Sequence, residues 1–131
     1  MAVLDASAAL EVLLKTPRGL HAAAQVLSPI ESLHAPHLLD VEFVQALRRL
    51  TQASALDARM ARQAIDDLLD LQLIRHEHDA LLPRIWELRT SVSAYDAAYI
   101  ALAEGLDTPL FTCDAKLARS HGHRAKIALL T

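Results

Sequence analysis

The sequence predicts an α/β fold, a three-layer α/β/α sandwich in which helices cover both faces of a short central parallel sheet. Short apolar segments alternate with amphipathic helical segments along the chain, and no hairpin signal joins two of the short segments. The 131 residues are 53% hydrophobic with only three glycines, a composition that favours helices. No linker, repeat or low-complexity segment interrupts them, so we expect a single domain over residues 1–131.

The predicted strands are short apolar or extended segments. Residues 1–4 form an apolar run that ends at Asp5, and residues 32–36 form an extended segment that ends at a proline. Three more strands are expected at 73–76, 109–112 and 127–130. Because helical segments separate these strands, we expect them to pair in parallel.

The predicted helices carry apolar residues at helical spacing, most clearly over residues 38–51. Pro17 is expected to stop the first helix, Asp57 to cap the fourth, and Gly105 to end the sixth. The expected ranges are 7–14, 18–27, 38–51, 57–71, 79–90, 94–104 and 115–120.

Charge and cysteine content limit the class of protein. The formal net charge of −3 does not by itself indicate nucleic-acid binding, although basic residues gather near the C-terminus. The lone Cys113 cannot form an internal disulfide, and we interpret it as a packing residue rather than a nucleophile. Nothing resembles an export signal or the roughly 18 apolar residues of a membrane span. We therefore expect a cytoplasmic protein without a membrane partner.

Four acidic residues are candidates for one site. Asp5 follows the first predicted strand and Asp114 follows the fourth, so both are expected at the edge of the sheet where the strands end. Glu42 lies within the apolar stripe of its helix, where a charged carboxylate is costly unless it is paired or bound to a metal. Asp96 shares a helical face with Ile100 and is placed similarly.

Each of these acids also has an ordinary structural explanation. Asp5 or Ser7 could cap the first helix, and Asp114 could cap the last one. Asp96 fits the third position of a capping box that begins at Ser93. Glu42 could tilt to the edge of the stripe and pair with a base such as Arg49.

The four acids together indicate a metal site. Carboxylates held close together repel one another and raise each other's pKa values unless a divalent cation lies among them. Carboxylate oxygens without His or Cys partners suit Mg²⁺ or Mn²⁺ rather than Zn²⁺. Such a cation activates water and neutralises charge on a phosphate, which is the chemistry that phosphodiester hydrolysis requires.

With these residues the sequence resembles a PIN domain, in particular a VapC-type toxin of a type II toxin–antitoxin system. The matching blocks are residues 3–8 (VLDASA), 42–49 (EFVQALRR), 93–103 (SAYDAAYIALA) and 112–117 (TCDAKL). Their order and spacing agree with the family over nearly the whole chain. The resemblance implies an α/β/α sandwich and a Mg²⁺- or Mn²⁺-dependent endoribonuclease that leaves 5′-phosphate and 3′-hydroxyl ends.

The resemblance also implies roles for individual residues. Asp5 and Asp96 would bind the metal directly, and Glu42 and Asp114 would bind it directly or through water. The polar positions that would support these acids by hydrogen bonding are Ser7 and Thr112. Family members usually form homodimers, and a VapB-type antitoxin inserts a peptide that blocks the acidic groove. The basic residues expected beside the RNA phosphates are Arg48, Arg49, Lys116 and Arg119.

Other residue groups carry weaker hypotheses. His76 and His78 could bind a metal, but we interpret them as part of a surface segment because no third ligand has a fixed spacing. We interpret His34 and His37 as loop residues. The aromatic side chains that could stack on bases, but that we expect in the core or at a dimer interface, are Trp86, Tyr95 and Tyr99.

Three alternative functions remain open at this stage. The fold could serve an RNA-processing PIN nuclease that is not a toxin, or a catalytically silent module that binds RNA or protein. An aspartyl phosphotransfer enzyme is a further possibility, because Asp5 follows the first strand. That chemistry usually has paired acids at this position, whereas this chain has Asp5, Ala6 and Ser7.

Overall fold

The computed structural model describes residues 1–28 and 32–131, and these form five strands and seven α-helices. The strands are β1 (Ala2–Leu4), β2 (Leu33–Pro36), β3 (Leu73–His76), β4 (Leu110–Thr112) and β5 (Ile127–Leu129). The helices are α1 (Ala6–Leu13), α2 (Pro17–Val26), α3 (Leu38–Gln52), α4 (Ala58–Asp70), α5 (Leu82–Glu87), α6 (Ala94–Leu106) and α7 (Ala115–Ala118), with a 3₁₀ turn at Asp79–Leu81. Each helix of this described part is too short or too polar to span a bilayer.

The five strands form one parallel sheet in the order β3-β2-β1-β4-β5, which confirms the predicted pairing. The central strand β1 is at most 2% exposed at every residue, as expected for a strand that is covered on both faces. Because β1 and β4 are neighbours and run in the same direction, Asp5 and Asp114 follow them at one edge of the sheet.

Two groups of helices flank this sheet, and the predicted three-layer sandwich is confirmed. Helix α1 contacts α2, α3 and α4, whereas α6 contacts α5 and the strands β1, β2 and β4. In α3 the predicted stripe is buried, with Leu39, Phe43 and Leu47 no more than 2% exposed. Helix α6 is buried over residues 97–104, where four alanines allow the helix to approach the sheet closely.

Pro17 has a different role from the one predicted. It is the first residue of α2 and follows the N-cap Thr16, so its missing N–H removes no hydrogen bond. Helix α1 ends before it, at Leu13, and Lys15 in the connection has a φ of 56°. The proline therefore begins the second helix rather than stopping the first.

The prediction was also wrong at several other helix ends. Instead of one helix over 79–90 there are the 3₁₀ turn and α5, which ends at Glu87, because Pro83 fits only the first turn of a helix. Gly105 lies within α6, and Asp107, with a φ of 49°, takes the left-handed conformation that ends this helix. Helix α7 ends at Ala118, two residues before the predicted end.

Candidate active site

Asp5 is buried where β1 ends and α1 begins, with an exposed fraction of 6%. Its Oδ1 accepts hydrogen bonds from the backbone N–H of Ala8 at 2.9 Å and from Ser7 Oγ at 2.7 Å. Asp5 is therefore the N-cap of α1, one of the two capping residues considered. Burial raises its pKa, and the charge of Asp96 adds to this effect, although hydrogen bonds from Thr112, Ala8 and Ser7 act against it.

Ser7 and Thr112 join the ends of β1 and β4. Their hydroxyl oxygens are 3.3 Å apart, and Thr112 is completely buried. Ser7 Oγ accepts a hydrogen bond from the Cys113 N–H, and Thr112 Oγ1 accepts one from the Asp114 N–H, each at 3.0 Å. These two hydroxyls thus hold the backbone around Cys113 and Asp114, and their role in supporting a site stays a prediction.

Asp114 and Asp96 both lie at helix starts. Asp114 Oδ1 accepts from the Lys116 N–H at 2.9 Å and caps α7, while Ser93 Oγ accepts from the Asp96 N–H at 3.1 Å and caps α6. Partial burial raises the pKa of Asp96, as does the charge of Asp114, while Lys116 acts against them. Asp5 and Asp114 are therefore helix caps, and Ser93 is the N-cap of the helix that contains Asp96. These caps use few of the carboxylate oxygens and leave others free to bind a ligand.

Glu42 is hydrogen bonded to a residue that sequence reasoning did not assign to the site. Tyr99 Oη donates to Glu42 Oε1 at 2.6 Å, so Glu42 does not pair with Arg49. Tyr99 is 2% exposed on α6, and its burial and the nearby Glu42 raise its pKa. The pKa of Glu42 is itself raised by burial, and the charges of Asp96 and Asp5 add to this rise.

The four acids therefore form a set of mutually repelling carboxylates. The charge of Asp96 acts on Asp5 and Glu42, and that of Asp114 acts on Asp96. Across residues 1–28 and 32–131, no Lys, Arg or His forms an ion pair with any of the four. A divalent cation would offset this repulsion, and oxygen donors of this kind are the ligands that Mg²⁺ prefers.

The acids do not form a closed metal cage. Among the described residues, no three His, Cys, Asp or Glu side chains are arranged so that they could hold a metal ion. Mg²⁺ does not require such a cage, because it commonly binds through one or two carboxylates together with waters and substrate phosphates. The donor set therefore fits Mg²⁺ or Mn²⁺ and not a closed structural zinc site.

An open cavity of about 960 Å³ adjoins one side of these acids. Asp96 and Asp114 line it, together with Lys116 and Arg119, two of the predicted phosphate-binding residues. The other two candidates, Arg48 and Arg49, are exposed on α3 and do not line this cavity. Two of the four basic candidates therefore lie at the cavity beside the acids, and the other two lie outside it.

His37 lies in the turn before α3, as expected of a loop residue, but His34 does not lie in a loop. His34 belongs to β2 and is 6% exposed, so it is not a loop residue, and its Nδ1 is 2.9 Å from His76 Nε2 in β3. His78 Nε2 accepts a hydrogen bond from the Leu38 N–H at 3.0 Å. These rings hold the ends of β2 and β3 together, which gives them a structural role.

The remaining candidates also divide between the core and the surface. Tyr99 lies in the core as expected, but Trp86 and Tyr95 are 67% and 65% exposed, so they are not core residues. The expectation of a dimer interface at these two aromatics stays a prediction. Cys113 is half-buried, and burial raises the pKa of its thiol, which suits a packing residue better than a nucleophile.

Comparison with known proteins agrees with this architecture. The PIN domain family model matches residues 2–121. Ribonuclease VapC12 of Mycobacterium tuberculosis is 40% identical over 130 residues, which are 99% of either chain. Ribonuclease VapC9 of the same organism is 44% identical over 118 residues, 90% of this chain and 89% of that one.

A solved structure shows the same fold at low sequence identity. It is the crystal structure of VapBC2 from Rickettsia felis bound to a DNA fragment from the promoter, with a TM-score of 0.72 and 14% identity. The match covers 99% of this chain and 98% of that chain. With the family match and the two relatives, the conclusion is that this chain belongs to the PIN-domain family and, within it, to the VapC group.

Proposed function

We propose that this protein is a Mg²⁺- or Mn²⁺-dependent endoribonuclease and the toxin of a type II toxin–antitoxin pair. The observation that carries the proposal is the set of four carboxylates at one sheet edge, which repel one another and have no ion-pair partner in the described chain. RNA as the substrate is supported by the two VapC relatives, which are both named ribonucleases.

In this proposal the residues divide into those that hold the metal and those that orient them. Asp5 and Asp96 hold it directly, and Glu42 and Asp114 hold it directly or through water. When bound, such a cation supplies an activated water and neutralises charge on the phosphate, and the RNA is left with 5′-phosphate and 3′-hydroxyl ends. The hydrogen bonds that keep the acids in place come from Ser7, Thr112 and Tyr99.

The activity is tested with purified protein and a structured RNA. We expect cleavage with Mg²⁺ or Mn²⁺ that stops when EDTA is added. Because the proposed products carry 5′-phosphate and 3′-hydroxyl ends, an RNA ligase should join them without prior phosphorylation. Asp5→Asn should reduce the rate at least about 100-fold while circular dichroism shows a native fold. Asp66→Asn, a half-exposed acid on α4 outside the proposed site, is the matched control and should cut at the parental rate. Cleavage by Asp5→Asn at the parental rate would contradict the site.

The toxin role brings two proposed partners. One is a VapB-type antitoxin that occludes the acidic groove, a proposal supported by the similarity to the toxin-and-antitoxin structure of VapBC2. The other is a second copy of this chain in a homodimer. Because cellular RNA is the proposed substrate, we also propose that the protein acts in the cytoplasm.

These partners are tested in cells and in solution. Expression of the parent alone should arrest growth, and co-expression of a small DNA-binding protein encoded by a neighbouring gene should relieve the arrest. Sedimentation should show twice the mass of the 14.3 kDa chain. If well-expressed and active protein causes no arrest, it acts as an RNA-processing nuclease instead.

A further inference from the structure

The cavity beside the acids has a basic wall that the metal proposal does not use. We call it the basic cleft, defined by Arg89, Lys116 and Arg119 on its wall and by Asp96 and Asp114 where it meets the acids. All three basic residues are exposed, and within the described residues none of them forms an ion pair with a carboxylate. Three unpaired cations thus stand beside the site where a phosphate would react.

Arg89 is held in place although it is exposed. Its guanidinium carbon lies 4.4 Å from the centre of the Trp86 ring, and its Nη1 donates to the Trp86 carbonyl oxygen at 3.0 Å. A stacked arginine with one donor fixed loses less conformational freedom when it binds a phosphate. The stack thus gives the exposed Trp86 side chain on α5 a role in positioning Arg89.

Hydroxyl groups extend the same wall toward the acids. Ser91 and Ser93 also line the cleft, and both are exposed. In the chain they lie between Arg89 and Asp96. Phosphate oxygens are bound in proteins by Arg, Lys and Ser groups of this kind. Asp5 and Glu42 do not line the cleft, so it lies to one side of the acids.

We propose that the basic cleft binds the phosphate backbone of a single RNA strand on one side of the cleaved bond, with the Trp86-supported Arg89 as one of its anchors. The inference rests on the proposed ribonuclease function and adds where the substrate strand lies. An RNA strand suits the cleft better than an acidic peptide because the same cleft is lined by Asp96 and Asp114, the acids at which an RNA phosphate is proposed to react.

Binding is measured separately from cleavage. The probe is a 5′-fluorescein single-stranded RNA of mixed sequence, followed by fluorescence anisotropy in EDTA at several salt concentrations. For each of Arg89→Gln, Lys116→Gln and Arg119→Gln, we expect the slope of log affinity against log salt to fall by about 0.7, and the affinity at 100 mM salt to fall about fivefold. Arg59→Gln, an exposed arginine on α4, is the matched control and should leave both unchanged.

The role of Trp86 has its own test. Trp86→Leu should weaken binding about twofold by freeing Arg89, and the double variant with Arg89→Gln should bind like Arg89→Gln alone. Additive losses would mean that the indole contacts RNA itself and would overturn its supporting role. Thermal unfolding of each variant confirms that the fold is retained.

The outcomes separate this inference from the ribonuclease proposal. Loss of binding in the cleft variants supports the cleft even if the parent fails to cut RNA with Mg²⁺. Unchanged binding in all three cleft variants overturns it even if the parent cuts RNA. If poly-glutamate competes with RNA at equal charge and depends equally on Arg89, the cleft is a site for acidic peptides and the inference is wrong.

Discussion

Helix α6 carries a partly buried acid at its N-terminal end and a buried acid at its C-terminal end, and only the second is paired with an arginine in the described chain. At the C-terminal end, the Glu104 side chain is 2% exposed, and its two oxygens accept from Arg84 Nε and Nη2 at 2.8 and 3.0 Å. The Arg124 N–H adds a third bond at 2.9 Å, and the pairing with Arg84 lowers the pKa of Glu104. At the N-terminal end, the pKa of Asp96 is raised and no arginine pairs with it in the described chain.

The difference shows which of the two acids has a structural role. Glu104 obtains its cation from within the chain, so its charge ties α5 and the segment before β5 to α6. Asp96, with Asp5 and Glu42, lacks such a cation and carries a free-energy cost in the absence of a ligand. A protein keeps such a cost where the unpaired charge serves a function.

The largest expected effect is on cleavage. Asp96→Asn should lower the rate of RNA cleavage at least about 100-fold, because it removes one of the proposed direct ligands. Glu104→Gln should keep the rate per folded molecule within about threefold, since Glu104 lies at the other end of the helix. The measurement is the initial rate of RNA cleavage at saturating Mn²⁺. Equal losses of rate in the two variants would contradict the assignment of a catalytic role to Asp96 and a structural role to Glu104.

The free energy of unfolding should change more in Glu104→Gln than in Asp96→Asn, the reverse of the order expected for cleavage. Glu104→Gln leaves Arg84 without its buried partner and should lower the free energy of unfolding by about 2 kcal/mol, less than for a fully buried pair because the Arg84 side chain is 30% exposed. Asp96→Asn should leave the metal-free protein at least as stable as the parent. Urea unfolding in EDTA measures both, and a large loss in Asp96→Asn would make Asp96 a structural residue.

The pH dependence should have opposite signs at the two ends. Because the pKa of Glu104 is lowered from 4.5, its contribution to stability is present above that value and is lost as pH falls below it. Because the pKa of Asp96 is raised from 3.8, its contribution is present below that value and is lost as pH rises through the folded-state pKa. The free energy of unfolding is measured against pH for the parent, Glu104→Gln and Asp96→Asn. The difference between the parent and each variant should therefore change with pH in opposite directions for the two variants. Parallel difference curves would refute the contrast.

A smaller effect is expected at Tyr99. Tyr99→Phe removes the hydroxyl that donates to Glu42 but keeps the ring that fills the core, so stability should change by no more than about 1.5 kcal/mol. The cleavage rate should fall about tenfold, and the Mn²⁺ concentration for half-maximal rate should rise. Unchanged metal dependence with a normal rate would show that Glu42 needs no such support.

Much of this arrangement could be predicted from the sequence because it depends on local signals. Asp5 and Asp114 each follow an apolar strand, and parallel strands bring such positions to one edge. The apolar stripe around Glu42 marked it as an unusual acid. The family resemblance supplied the expected role of Asp96.

What could not be predicted depends on pairing between distant residues. Tyr99 reaches Glu42 across 57 positions and Arg84 reaches Glu104 across 20, and neither spacing is a helical repeat. Helix ends were missed where chain geometry outweighed residue type, as at Gly105, which lies inside α6 while Asp107 takes the left-handed conformation. Local patterns place the acids, but only the fold shows which of them is paired.

The unpaired acids near the N-terminal end of α6 are proposed to bind a divalent cation. Isothermal titration of the metal-free protein with Mn²⁺ tests this proposal directly. The parent and Glu104→Gln should bind Mn²⁺ with similar affinity, and Asp96→Asn should bind it at least about tenfold more weakly. If Asp96→Asn binds Mn²⁺ as tightly as the parent, or if the parent binds none, these acids are not the metal site.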